Sequence, residues 1–272
     1  MRQVVRTVLL GLCLLTSLST TGQAAVPASL PPLGLDQLVG EHLVYAIDFM
    51  VFKRIAAGEL TLRPTDEAGI YEAELIGRTL GVAAWLTGDR TQHYRTRMRW
   101  DEDGRLHSLV HESQIDKRKR GEWRHSGKRF TFAADHRQVI QEKSKDGVFI
   151  PGKVFELPAG EPPADILTAF YNLRLGVYGE IVPGRKILIP TFTSKGLREI
   201  VVDVLTVAER APYRFFPNSG WLLRCRIDPE VFGTSRGELF IWFDEAGVPA
   251  RGIIEDVIGL GDVRGYQEET AP

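Results

Sequence analysis

Apolar and polar residues alternate with a period of two through most of this chain, and this pattern limits the elements it can form. The alternation is seen over residues 43–49, 94–100, 200–204 and 223–227, and Leu239, Ile241 and Phe243 continue the same spacing. Because successive side chains of a β-strand point to opposite faces, a period of two predicts strands that are buried on one face. Residues 239–243 are apolar on both faces, so this strand is expected to be covered on both sides.

Turn-forming residues separate these runs. They are Asp-Glu-Asp-Gly at 101–104, Ser-Gly at 126–127, Lys-Asp-Gly at 145–147 and Asp-Glu-Ala-Gly at 244–247. Glycine accepts the positive φ of tight turns, and an Asp side chain accepts hydrogen bonds from the backbone that follows it. Many short strands joined by such turns predict a mainly β fold, either a curved antiparallel sheet or a barrel-like fold, with a β-sandwich as the alternative.

One segment departs from the period of two. Apolar residues recur at helical spacing at positions 166, 170 and 173, directly after two prolines. Asp165 is suited to cap the start of a helix, Arg174 complements the negative charge of its last turn, and Gly176 can end it. The spacing predicts one α-helix over about 164–175, packed on the sheet. A second, weaker helical turn is expected at 81–86.

The N-terminus has the organisation of an export signal. Arg2 and Arg6 precede an apolar run over residues 8–18, and polar residues then lead to Ala24 and Ala25. We expect a signal peptide over 1–24, a flexible Pro-rich lead-in over 25–39, a single β-rich domain over 40–266 and a tail over 267–272. A buried N-terminal helix is the alternative. The expected location is periplasmic or secreted, with no transmembrane segment in the mature chain.

The charge is distributed unevenly along the chain. The full chain has a net charge of -1, and loss of the two arginines of the signal leaves 32 basic and 35 acidic residues, a net charge of −3. Residues 90–129 nevertheless hold twelve Lys or Arg and six acids, a local charge of +6. Such a segment favours an anionic lipid or glycan as ligand, whereas export and the near-neutral total disfavour nucleic acid.

Five residues are candidate ligand-binding positions. Arg95, Arg97 and Arg99 share one strand face, Trp123 follows the basic run at 117–120, and Trp242 lies in the strand that is apolar on both faces. The arginines are suited to bind phosphate or carboxylate groups, and an apolar ligand is one possible cover for Trp242. The alternatives are a solvated face that protects a sheet edge and a strand covered by the predicted helix.

Sequence motifs for catalysis and metal binding are absent, so no catalytic residue, metal or cofactor is predicted. His107 and His111 are four residues apart in a strand-like run, which separates them by roughly 13 Å and makes a shared metal ion unsuitable. Cys225 shares a face with Leu223 and Ile227 and is expected to be a core thiol. The other cysteine, Cys13, falls within the predicted signal.

Three stretches together resemble a known family. They are Gly-Glu-His-Leu-Val-Tyr at 40–45, Asp-Ile-Leu-Thr-Ala-Phe-Tyr-Asn-Leu-Arg at 165–174, and Gly-Glu-Leu-Phe-Ile-Trp-Phe-Asp at 237–244 followed by Val-Pro at 248–249. In order and spacing the chain is similar to domain-of-unknown-function family 3108, exported bacterial β-rich proteins. The resemblance implies a curved antiparallel or barrel-like fold with a packed helix, over roughly 40–258, and it implies no catalytic residues.

These observations favour a non-catalytic periplasmic protein that binds or carries an amphipathic or anionic envelope component, such as a lipid, glycolipid or polysaccharide. One alternative is an enzyme acting on envelope polysaccharide or peptidoglycan, for which His107 and Glu112 are candidates. The other is a protein-interaction module that docks an acidic partner through its basic face. The sequence makes no prediction of the oligomeric state.

Overall fold

Fourteen strands form one antiparallel sheet in the computed structural model, which describes residues 29–228, 237–255 and 261–268. The predicted signal peptide lies outside the described residues. The strands are β1 His42–Phe49, β2 Phe52–Pro64, β3 Ile70–Thr79, β4 Thr91–Trp100, β5 Leu106–Lys119, β6 Glu122–Phe132, β7 Gln138–Lys145, β8 Val148–Glu156, β9 Lys186–Thr193, β10 Gly196–Val204, β11 Trp221–Arg226, β12 Glu238–Phe243, β13 Pro249–Ile254 and β14 Val263–Gln267. The helices are α1 Leu35–Leu38, α2 Gly81–Thr87, α3 Ile166–Arg174 and α4 Val207–Arg210.

The strand order consists of two meanders joined through β1. It runs β8-β7-β6-β5-β4-β3-β2-β1-β14-β13-β12-β11-β10-β9, so β1 pairs with both β2 and β14. The chain enters α3 after β8 and leaves it to begin β9. The prediction of a mainly β, curved antiparallel fold with a packed helix is confirmed, and a single sheet forms instead of the alternative sandwich.

Helix α3 lies against the interior face of the sheet, the face that carries most of the core. Leu167 and Tyr171 pack with residues of β1 to β5, whereas Ala169 and Leu173 pack with residues of β9 to β12. The helix is therefore buried between the two meanders. Its predicted cap is also confirmed, because the Asp165 side chain accepts hydrogen bonds from the backbone N–H groups of residues 167 and 168.

The two ends of the sheet meet through aromatic rings. Phe192 of β9 lies edge-on to Phe130, Phe132 and Phe155, with ring centroids 5.6, 6.0 and 5.1 Å away. Between β8 and β9 the described residues form no strand pairing. The sheet is thus barrel-like, and apolar packing closes it between β8 and β9. Strand β9 also forms an isolated bridge with the segment after β8, through backbone hydrogen bonds from Ala164 N–H to the Pro190 carbonyl (3.0 Å) and from Phe192 N–H to the Ala164 carbonyl (3.0 Å).

Short elements complete the fold. Helix α2 confirms the helical turn expected at 81–86. In the described part of the lead-in, Leu30 bridges Ile181 and is buried, and Leu38 at the end of α1 is fully buried. None of the described helices is long and apolar enough to cross a membrane.

Candidate functional site

An apolar chamber of about 280 Å³ lies inside the sheet beside α3. Its wall combines side chains from both meanders with the helix face that carries Ile166, Phe170 and Leu173. Tyr45 is the lining residue that brings a hydroxyl, and its oxygen donates a hydrogen bond to the Pro249 carbonyl (2.8 Å). The chamber therefore presents an almost entirely apolar surface to any occupant.

Glycines create part of this space. Gly58, Gly252 and Gly265 line the chamber, and Gly252 and Gly265 are directly opposite each other on β13 and β14. A Cβ added at Gly265 would meet no atom within 4 Å, so open space begins at its Cα. Glycine inside a strand weakens it and often marks a close approach of backbone or ligand. These positions keep the chamber open at some cost to strand stability.

A second, polar chamber of about 230 Å³ adjoins the first. Ile166, Ile200 and Ile227 line both cavities, so the two meet at the N-terminus of α3. The wall of the polar chamber includes hydroxyl, imidazole and amino groups, among them His111 and Lys128. An apolar and a polar compartment are therefore contiguous within one interior.

The Asp165 carboxylate is the buried polar centre of this region. It accepts hydrogen bonds from the hydroxyls of Thr96 (2.8 Å), Ser108 (2.6 Å) and Thr168 (2.5 Å), in addition to the two backbone N–H groups. Burial raises its pKa, but the neighbouring His111 and these hydrogen bonds outweigh burial and hold the pKa of Asp165 far below its ordinary value. The carboxylate therefore stays ionised and anchors α3 to β4 and β5.

The hydrogen bonds fix the orientation of the His111 ring. Thr96 uses its single hydroxyl proton to reach Asp165, so the contact between Thr96 Oγ1 and His111 Nδ1 (2.8 Å) requires a proton on Nδ1. The His111 ring stacks between the rings of Tyr94 and Phe130, and the centroid distance is 6.1 Å in both cases. Both aromatic residues lie on the interior face of the sheet. His111 thus holds one nitrogen toward the anchor while its ring borders the polar chamber.

The three predicted arginines lie on the outer face of β4. Arg95 bonds to Glu72 (2.7 Å) and Arg97 to Glu67 (2.7 Å). Burial raises the pKa of Glu72, but hydrogen bonds from Arg63 and Arg95 outweigh it and lower the pKa. Arg99 is near His136. The pKa of the His136 imidazole is lowered mainly by burial and next by the positive charge of Arg99. A role for these arginines in ligand binding stays a prediction.

The two predicted tryptophans lie apart from each other and from the chambers. Trp123 is exposed near the tip of the β5–β6 hairpin, with Arg118 over its ring. Trp242 is buried on the outer face of β12, where its Nε1 donates to the Ser219 carbonyl (2.8 Å) and the segment around α4 covers it. The strand at 239–243 is therefore covered on both faces, as expected, by α3 inside and by this segment outside.

The residues considered for catalysis are also separated. Glu112 bonds to Arg129 (2.5 Å), whereas His107 lies beside His136 and 3.4 Å from Asp101. Cys225 is a buried core thiol, as predicted, and burial raises its pKa to about 12. Over the part of the chain that the structure describes, no three His, Cys, Asp or Glu side chains could hold a metal ion together.

Sequence reasoning missed the residues that shape the two chambers. Gly58, Gly265 and Lys128 had no recognisable motif, although a glycine at an interior strand position is a usable signal. Lys128 is one of the twelve basic residues counted over 90–129, but a count does not show on which face of its strand a side chain lies. Only closure of the sheet shows that Lys128 and the stripe at 95–99 lie on opposite sides.

Comparisons with known proteins return matches among solved structures. No protein-family model matches it, and no curated protein matches it. Two solved protein chains match. One is described as a beta-barrel-like protein of domain of unknown function DUF1849 from Brucella abortus; it is 10% identical, with a TM-score of 0.43, over 85% of this chain and 98% of that chain. The resemblance to family 3108 stays a prediction.

Proposed function

We propose that this protein binds one amphipathic molecule non-covalently inside its sheet, with the apolar part of the ligand in the apolar chamber. The contiguity of the two chambers is the observation that carries the proposal. The N-terminal export pattern and the resemblance to family 3108 support a periplasmic carrier or binding protein of an envelope component. It is part of the same proposal that the protein is exported, belongs to that family and carries an envelope component.

The sizes of the chambers are appropriate for such a ligand. Small-molecule pockets commonly span ~300–1,000 Å³, and an apolar cavity of ~150 Å³ is large enough for benzene. Each chamber is near the lower end of the first range, and the two together fall within it. A single acyl or prenyl chain therefore fits better than a two-chain lipid.

The hydrophobic effect supplies the binding energy in this proposal. Each methylene transferred from water to an apolar site contributes about 0.8 kcal/mol. Affinity is therefore expected to rise about fourfold with each added methylene until the chain fills the apolar chamber, and then to stop rising. Titration calorimetry with a series of straight-chain alcohols measures this dependence.

A substitution at Gly265 tests whether the ligand binds in the apolar chamber. Gly265→Leu places a side chain in the chamber without a backbone clash, so binding of dodecanol should fall at least about tenfold. Gly265→Ala, which adds one methyl group, is the matched control and should keep most of the affinity. Neither change should lower the melting temperature, because glycine is unfavourable in a strand. Equal affinity in all three proteins would reject an interior site.

A further inference from the structure

Several polar side chains that line the polar chamber have no hydrogen-bonding partner within the described residues. They are the hydroxyls of Ser113 on β5, Ser126 on β6 and Thr191 on β9. Thr191 is 3% exposed, so its hydroxyl lies deep in the interior. A buried polar group without a partner is costly, and nearly all such groups in proteins are paired. The chamber is therefore suited to an occupant that forms hydrogen bonds.

His111 brings a second kind of group to the same chamber. Its side chain is 8% exposed, and its Nδ1 lies 2.8 Å from the Thr96 hydroxyl and 3.3 Å from the Asp165 carboxylate. The ring lines the chamber, and its Nε2 bonds to none of the described residues. With a proton on Nδ1, the Nε2 of a neutral imidazole accepts a hydrogen bond. A hydroxyl group is a suitable donor to this nitrogen.

These four groups come from both meanders. His111 and Ser113 share one face of β5, Ser126 lies on the same face of β6, and Thr191 belongs to β9 of the other meander. A single hydroxyl can reach one or two of these groups, whereas the neighbouring hydroxyls of glycerol or of a sugar can reach several. Hydroxyls both donate and accept, so each can pair with Ser, Thr or His.

Charges of both signs balance each other around the polar chamber. Its lining includes the cations Lys128 and Arg198 and the carboxylates Glu199 and Asp228. Asp165 adds a buried negative charge next to His111. An ionised headgroup would lose its hydration on entry and would meet no excess of opposite charge, so an uncharged headgroup is favoured.

We propose that the polar chamber binds an uncharged polyhydroxyl headgroup, glycerol or a single sugar, of the amphipathic molecule whose chain occupies the apolar chamber. This inference rests on the proposed function and adds the chemical class and the orientation of the ligand. The headgroup lies among the four unpartnered side chains, and the chain passes Ile166 and continues along α3.

Amphiphiles that share a dodecyl chain and differ in their headgroup test the class. At least one of dodecylglycerol and dodecyl glucoside should bind at least about tenfold more tightly than dodecanol, because it gains further hydrogen bonds to buried groups. Dodecyl phosphate and dodecyltrimethylammonium should bind no more tightly than dodecanol. Added salt should leave the affinity for the two polyol compounds unchanged. Titration calorimetry below the critical micelle concentrations measures these affinities.

Thr191→Val tests the position, since it removes the hydroxyl and keeps the shape of the side chain. Affinity for the tighter of the two polyol compounds should fall about threefold to tenfold, and affinity for dodecanol should change by less than about twofold. Ser113→Ala provides a second position with the same expectation.

Thr61→Val is the matched control. The Thr61 hydroxyl is also buried without a partner among the described residues, but Thr61 is on β2 and lines neither chamber. This variant should bind every amphiphile as the wild type does. Neither Thr191→Val nor Thr61→Val should lower the melting temperature, because valine is favoured in strands.

The outcomes separate the two proposals. If none of the amphiphiles binds, the interior site is rejected together with its headgroup. If dodecanol binds but neither polyol compound binds more tightly, or if Thr191→Val and Ser113→Ala both match Thr61→Val, only the headgroup class is rejected.

Two further results would also overturn the headgroup proposal. If dodecyl phosphate binds more tightly than both polyol compounds, the chamber selects an anion. If glycerol or glucose alone binds as tightly as its dodecyl derivative, the orientation of an amphiphile across the two chambers is wrong. A preference between dodecylglycerol and dodecyl glucoside supports the class and shows whether the headgroup is glycerol or a sugar.

Discussion

Phe155 of β8 and Phe192 of β9 pack edge to face with ring centroids 5.1 Å apart, although their strands share no pairing in the described residues. The first and last strands of the sheet order therefore adhere through side chains. Such a seam separates at lower cost than a hydrogen-bonded ladder, because apolar contacts are individually weak and non-directional.

Truncation of Phe192 should open this seam. Phe192→Ala removes contacts to three rings, so the free energy of unfolding should fall by about 3–5 kcal/mol. Urea denaturation measures the change. Leu188→Ala on the same strand is the control, since Leu188 is half exposed and its loss should change stability by less than about 0.5 kcal/mol. If Phe192→Ala and Leu188→Ala lower the free energy of unfolding equally, the ring contacts at the seam do not stabilise the fold.

Stability should depend on pH through Asp165. The folded protein holds the pKa of Asp165 below its ordinary value of about 3.8, so its contribution is complete above about pH 4 and is lost progressively as the pH falls further. Asp165→Asn keeps the shape but removes the charge and should cost about 2–4 kcal/mol at pH 7.

Chemical denaturation at a series of pH values checks this linkage. The difference in unfolding free energy between the wild type and Asp165→Asn should narrow from pH 4 to pH 2. Other carboxylates, such as Asp48, also have a lowered pKa, so the difference between the two proteins is the informative quantity. A difference that is constant over this range would show that the carboxylate is not anchored by its charge.

Glu41 and Arg174 should behave as one buried unit. The guanidinium bonds to both carboxylate oxygens at 2.6 Å, and the Arg174 side chain is 2% exposed. Arg174→Leu should cost about 3–5 kcal/mol because it leaves Glu41 unpaired, whereas Arg174→Leu with Glu41→Leu should recover most of that loss. A double-mutant cycle by thermal or urea unfolding provides the measurement.

An exposed pair provides the comparison for that cycle. Arg54 bonds to Glu268 at the surface, so Arg54→Leu should cost at most about 1 kcal/mol. If the double variant at 41 and 174 is as unstable as Arg174→Leu alone, loss of packing and not the unpaired charge explains the cost.

Cys225 should be unreactive in the folded protein. Burial first, and then Asp203, raise the pKa of its thiol to about 12, and the thiolate is the reactive form. In a Cys13→Ser chain, an aromatic disulfide reagent at pH 8 should modify Cys225 at least about a thousandfold more slowly than in urea. Reaction at the same rate in both conditions would contradict the buried position.

Because Cys225 lines the apolar chamber, bound dodecanol should slow any residual reaction.

The helix is the element that sequence reasoning located best. Asp165, the apolar spacing and Arg174 are local signals, and local signals act within a few residues of chain. Strand alternation likewise identified which residues share a face, for example Leu223, Cys225 and Ile227. The partners of Asp165 were not predictable in this way, because Thr96 and Ser108 come from strands about 60 residues earlier in the chain.

The sequence by itself determined a β chain with one capped helix and separated its residues into two faces on each strand. Tertiary structure alone decided which face is interior, since a period of two assigns side chains to faces without distinguishing inside from outside. Curvature around α3 placed Arg95, Arg97 and Arg99 on the outer face, where Arg95 and Arg97 form ion pairs, and placed Lys128 at the wall of the polar chamber. The physical reason is burial of apolar surface. The face that could cover α3 with apolar side chains became the interior, and the polar side chains on that same face came to lie inside as well.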